Sequence, residues 1–256
     1  MGQNHLWISK EEISPLVLLP GDHGRVEKIG KHLEDFRVIL RNREFWIGTG
    51  SFGGKKVTVC STGIGCPSTA IAVEELIALG AKVLIRVGTC GGSWRADLKE
   101  GSVAIATASV RDEGTTLEYI PLGFPAVADV DVILALRASA ERFNVPFAVG
   151  LNRTHDAFYG SQDAVLKWGK YLLDERWRKA DTPILTSEME SSAIFVISSL
   201  HGVRAGAIFA VDANPEPLLA RLRGEKQTVV AFDDKARSEC TADLAAHIAL
   251  SALVSF

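Results

Sequence analysis

Short apolar runs that end in Gly or Pro alternate along this chain with segments whose apolar residues recur every three or four positions. Pro15–Gly21, "PLVLLPG", is an apolar run stopped by Pro-Gly and predicts a buried strand. Gly24–Leu33 follows, with Val26, Ile29 and Leu33 at helical spacing. "REFWIGTGSFGGKKVTVCSTGIG" predicts a hairpin around Gly53-Gly54, with Lys56–Ser61 as its second strand. "PSTAIAVEELIALGA" has Pro at its head and Gly near its end, the asymmetry of a helix. "KVLIRVGTCGG" and "GSVAIATASVRDEG" predict strands, "DVILALRASAERFNV" a helix, and "PFAVGLNRTHD" an extended segment. "ILTSEMESSAIFVISSLHG" predicts a strand end and then a helix, "RAGAIFAVDANP" a last strand, and "ARSECTADLAAHIALSALVSF" a closing helix. Strands alternating with helices imply an α/β sandwich on a largely parallel or mixed sheet, taken as one domain over residues 1–256. The charged, Pro-containing stretch Pro215–Val230 predicts a surface excursion or flap.

Composition narrows the choice of partner. A 256-residue chain with 47% hydrophobic residues can bury a sizeable core. Its net charge of -3 gives no reason to expect nucleic acid or an acidic membrane as the main partner. No apolar run reaches the roughly 18 residues of a membrane span, and no positively charged lead precedes an apolar stretch, so neither an anchor nor a secretory leader is expected. Cys60, Cys66, Cys90 and Cys240 show no C-x-x-C spacing, so reduced thiols and a cytoplasmic setting are expected.

Ligands of open α/β sheets collect beyond the carboxyl ends of the strands, so the turns there carry the candidate chemistry. In "LPGDHGRV", Gly21 lets a backbone N–H approach a ligand and Arg25 supplies bidentate donors for an anion; a plain Gly turn with a surface arginine is the alternative. In "IRVGTCGG", Arg86 sits in an apolar strand, where an unpaired charge is costly. It calls for an internal carboxylate or a bound phosphate, with Thr89 and the glycines close by. No P-loop pattern and no complete G-x-G-x-x-G accompany it. In "SEMESSAI", the plain explanation of the acids is a capping box, with Ser187 as N-cap and Glu190 three residues on. The functional explanation is that the two acceptor oxygens of Glu190 take the adjacent hydroxyls of a ribose, with Met189 against the ring.

The segments "LPGDHGRVEKIG", "NREFWIGTG", "VTVCSTGIGCPSTAIAVEEL", "LIRVGTCGG", "TASVRDEG", "PLGFPAVAD", "DAFYGSQ" and "SEMESSAI" occur in an order that resembles the nucleoside phosphorylase family, uridine phosphorylases above all. The resemblance spans nearly the whole chain. It implies an α/β sandwich with a central mixed, twisted sheet flanked by helices, and phosphorolysis of a ribonucleoside to a free base and ribose 1-phosphate. By the same resemblance phosphate would be held by Gly21, Arg25, Arg86 and Thr89, with Arg43 lent to a neighbouring subunit. Ribose would meet His5, Met189 and Glu190; the base would meet Phe158, Gln162, Glu188 and Asp212. Arg86, Glu190 and Gln162 would carry catalysis. No organic cofactor is implied. A monovalent cation such as K+ would sit at a dimer interface near Glu44, Ile64 and Ser68, in a hexamer built as three dimers.

Two departures bear on the base. Where uridine phosphorylases have arginines, this chain has Ala164 and Pro215, which puts uracil preference in doubt. "RDEGT", Arg111–Thr115, looks like broader or purine-leaning relatives. Asp212 stands one residue before the acid of purine-cleaving relatives, an offset that turns a strand side chain to the other face. A pyrimidine nucleoside is therefore the expected substrate. A purine nucleoside phosphorylase, a nucleosidase and a nucleoside-binding protein without turnover are the alternatives.

Overall fold

The computed structural model describes residues 3–91, 98, 101–158, 184–212, 224 and 235–256, with backbone alone for 184 and 235–238. Its sheet holds ten strands: β1 (Leu16–Leu19), β2 (Glu34–Asn42), β3 (Phe45–Phe52), β4 (Lys55–Cys60), β5 (Val83–Cys90), β6 (Val103–Asp112), β7 (Ala126–Val127), β8 (Phe147–His155), β9 (Ile184–Glu188) and β10 (Arg204–Val211). The order is β2-β3-β4-β1-β5-β10-β6-β8-β9, with β7 paired to β6. β1, β4, β5 and β10 run parallel to their neighbours in that block, while β2–β3, β3–β4 and β10–β6 are antiparallel. The sheet is therefore mixed, as the alternating pattern implied.

Helices cover both faces. Leu84 of β5 packs into one core with α2 (Cys66–Ala78) and α5 (Ser191–Leu200). Its neighbour Ile85 packs into the other, beneath α1 (Gly24–Gly30), α4 (Val130–Arg142) and α6 (Lys235–Leu253). Successive strand side chains point to opposite faces, and both faces are covered, which is why β5 reads as an apolar run from Val83 to Gly88 apart from Arg86. Burying each large aliphatic side chain contributes about 1.5–3 kcal/mol.

The hairpin at Gly53-Gly54 forms as expected, with φ of 54° and 76°, values suited to glycine. β2, the short α3 (Thr115–Tyr119) and β7 were not read from the pattern. β2 is an edge strand, and most of its residues are exposed or half-buried, so burial imposes little pattern on it. The capping box at Ser187 is corrected. Ser187 pairs with Arg153 inside the β8–β9 ladder, and α5 starts at Ser191. Strand pairing claimed the residue that local chemistry had marked as a cap. The flap Pro215–Val230 lies outside the described residues apart from Gly224.

Gly91 and Ser187 exchange both backbone hydrogen bonds, Gly91 N to Ser187 O at 3.1 Å and Ser187 N to Gly91 O at 3.2 Å. That bridge joins the end of β5 to β9, so the strands β5-β10-β6-β8-β9 curl until the last meets the first. Curling brings Arg86 of β5 opposite Glu188 of β9.

Candidate active site

Arg86, Glu188 and Glu190 form the buried centre; they are 4%, 5% and 4% exposed. Arg86 Nε donates to Glu188 Oε2 at 2.8 Å, and Nη2 donates to Glu190 Oε2. The guanidinium folds back over its own strand. A Cβ on Gly88 would stand 2.9 Å from Nη2, so the "RVG" order leaves that room. Among the described residues Arg86 Nη1 has no hydrogen-bond partner, although it is buried. A Cβ built on Gly21 would lie 3.7 Å from it, so this free donor sits against the turn after β1. A buried donor left unpaired costs about 1–3 kcal/mol and marks a place for a ligand atom.

Arg25 stands near the same turn. Burial and the nearby Arg86 both push its pKa down, while Asp22, Asp212 and Glu239 act against them. Repulsion between these cations is what a bound anion would relieve. Thr89 is half-buried near the end of β5, level with Ala210 of β10. Gly21, Arg25, Arg86 and Thr89, named from sequence as an anion set, are thus gathered at one end of the sheet.

The two glutamates are not equivalent. Glu188 accepts from Arg86 Nε, Asn152 Nδ2 at 2.8 Å, Thr154 Oγ1 at 2.7 Å, and the backbone N–H groups of Glu190 and Ser191. Burial works to raise its pKa, but Arg86 and the hydrogen bonds, Thr154 foremost, hold it below the usual carboxylate value. Protein donors thus occupy both oxygens of Glu188, the acid expected at a base. Glu190 has fewer partners, Gly65 N–H at 2.6 Å on Oε1 and Arg86 on Oε2. Burial pushes its pKa up, Arg86 opposes this, and the charge on Glu188 adds to the rise. Gly65 reaches it from a turn with φ of 92°, again a glycine conformation. Met189 is half-buried beside it, and its carbonyl accepts from Cys66 Sγ at 3.3 Å.

The rim is built differently. The carboxylate of Glu75 on α2 accepts backbone N–H bonds from Asn4, His5 and Leu6 and the 2.8 Å bond from His5 Nδ1. Asn42 Nδ2 donates to His5 O at 2.9 Å, so His5 is tied to the β2–β3 turn. Arg43 sits in that turn, exposed, with φ of 53°. Glu44 and Ser68 approach Gly63, and Ser68 Oγ donates to Ile64 O at 3.3 Å, so Glu44, Ile64 and Ser68 are neighbours. Phe158 is 57% exposed. The charge of Asp212 is felt by Arg25 and by Cys90, whose carbonyl accepts the Asp212 N–H at 3.3 Å. Gln162, Ala164 and Pro215 lie outside the described residues. Arg111 is a structural staple, its donors spent on Thr116, Ile120, Pro121 and Phe124.

Residues 15–252 match the family model of the phosphorylase superfamily. The chain belongs to that superfamily. Among its superfamily relatives, the uridine phosphorylase of Treponema pallidum is 44% identical over 211 residues, covering 82% of this chain and 81% of the relative. The guanosine phosphorylase of Halorubrum lacusprofundi is 39% identical over 212 residues, 83% of each chain. The crystal structure of uridine phosphorylase from Vibrio fischeri superposes with a TM-score of 0.83 at 30% identity, covering 99% of this chain and 98% of that one. The sandwich expected from the sequence is thus the fold of a superfamily neighbour.

Sequence reasoning passed over Gly65, Glu75, Asn152 and Thr154. Asn152 and Thr154 had a signal: the apolar start of β8 gives way to a run of polar residues, "NRTH", at its end. Glu75 had none, because an acid on a helix is ordinary until the partner chain segment is in place.

Proposed function

We propose that this phosphorylase cleaves the N-glycosidic bond of a pyrimidine nucleoside with inorganic phosphate, releasing the base and ribose 1-phosphate. The observation that carries this reading is the buried Nη1 of Arg86 beside Gly21, without a partner among the described residues, with Arg25 close enough to feel its charge. Phosphate would take that donor, the Gly21 N–H, Arg25 and Thr89. Glu190, the less committed acid, would exchange its bonds to Arg86 and Gly65 for the ribose hydroxyls. A phosphate oxygen then bonds to C1′ as the C1′–N bond breaks, and the electron pair leaves with the base, which takes a proton. Holding both reactants in line supplies much of the rate gain. Phe158 and Gln162 would meet the base.

Arg43 is exposed and His5 half-buried, and Ile64 and Trp7 near them are 80% and 67% exposed. Apolar groups so exposed suit an interface. The site is accordingly read as shared between subunits of a hexamer of three dimers, with a monovalent cation held near Glu44, Ile64 and Ser68. A cytoplasmic setting suits the free thiols of Cys60, Cys66, Cys90 and Cys240. Among the described residues no helix is long and apolar enough to cross a membrane.

The Treponema pallidum relative is named for uridine and the Halorubrum lacusprofundi relative for guanosine, so a purine nucleoside is the second reading. Base release from uridine, thymidine, inosine and guanosine, with and without phosphate, tests both. Phosphate-dependent release fastest from uridine is expected. Release fastest from guanosine or inosine replaces the base assignment, and release indifferent to phosphate removes the phosphorylase reading.

A further inference from the structure

Glu188, expected at a base from the resemblance, is held by donors of the protein itself. We propose that Glu188 is a positioning residue for phosphate, holding Arg86 by Nε so that Nη1 stays aimed at the cleft beside Gly21. The proposal rests on the phosphorolytic reading above and names the residue on which its anion site depends.

A guanidinium between two carboxylates can turn to either. With Nε on Glu188 and Nη2 on Glu190, the plane of Arg86 is fixed and Nη1 is the donor left over. Glu188 can impose this because it is itself pinned. Asn152 Nδ2 and Thr154 Oγ1 both donate to Oε1, and the N–H of Glu190 and of Ser191 close on Oε2. Asn152 is pinned in turn, donating to Ser109 Oγ at 3.0 Å and accepting from Thr186 Oγ1 at 3.0 Å. Ser192 N–H donates to Thr154 Oγ1 at 3.1 Å. A chain of polar contacts thus runs from β6 and β9 through β8 to the strand that bears Arg86. Glu190 lacks such backing, and can release Arg86 when ribose arrives without freeing the guanidinium.

The test separates phosphate from nucleoside. Inorganic phosphate is titrated calorimetrically into the full-length protein, and KM is measured for phosphate and for uridine in turn. Glu188→Gln should weaken phosphate binding and raise its KM at least tenfold, with the uridine KM changed less than threefold. Asn152→Ala and Thr154→Val, which do not touch phosphate, should shift the same two quantities about three- to tenfold, while Thr154→Ser stays near the parent. These carry the test if Glu188→Gln does not fold. Folded variants that bind phosphate as tightly as the parent, or that raise both KM values alike, overturn the proposal and leave the phosphorylase reading standing. A parent protein that neither binds phosphate nor releases base faster with it overturns both.

Discussion

Arg86, Glu188 and Glu190 are almost fully buried, and each is held by named partners within one chain; at the rim, Ile64 is 80% and Phe158 57% exposed, and Arg43 sits on an exposed turn. The difference teaches where precision comes from. Charges placed in a low-dielectric interior must be paired, and pairing fixes them in position without outside help. Exposed groups pay no such penalty and gain no such order. The inner end of the cleft is held by its own contacts, and the outer end lies exposed in the single chain.

The harshest way to break the inner end is Arg86→Ala. It strips two buried carboxylates of their shared cation, which should lower stability by about 3–5 kcal/mol in urea unfolding and abolish phosphate-dependent release. A variant as stable as the parent would show that Glu188 and Glu190 are not held as described. At the rim, Arg43→Ala should cost about ten- to a hundredfold in kcat/KM, as one charge-assisted contact does, with the urea midpoint unmoved. Co-refolding it with an inactive Glu190→Gln chain should restore part of the activity, because some sites then combine an intact Arg43 with an intact Glu190. No recovery in mixed oligomers would rule out the shared site. Gly88→Ala sharpens the contrast more gently. The new Cβ, 2.9 Å from Arg86 Nη2, should destabilise by about 1–3 kcal/mol and weaken phosphate binding with it.

The smallest effect concerns pH. The folded-state pKa of Glu188 is depressed, so its contribution is present above the ordinary Glu value of about 4.3 and lost as pH falls through the folded value. That of Glu190 is raised, so its contribution is present below the ordinary value and lost as pH rises through the folded one. Glu190→Gln should therefore unfold at slightly higher urea than the parent at neutral pH, and Glu188→Gln at lower urea. Shifts of the same sign would mean that the two acids share one environment.

The alternating pattern carried most of the sandwich because burial on two sides leaves few choices for a run such as "VLIRV". Arg86 and Glu190 were legible as charges out of place among apolar neighbours. Edge strand β2 was not, since partial exposure imposes no strict pattern. The start of α5 was misplaced because a local cap signal at Ser187 lost to pairing with β8, a contact that sequence spacing does not encode.

By itself, then, the sequence determined which segments are buried, where strands give way to glycine turns, and that unpaired charges stand at those turns. Tertiary structure alone decided which acid each charge meets. Glu188 and Glu190 are two residues apart and chemically identical, yet one faces Asn152 and Thr154 across the β8–β9 ladder while the other faces Gly65 across the cleft. Strand register and the closure at Gly91 and Ser187 set that division, and both depend on contacts between residues far apart in the chain.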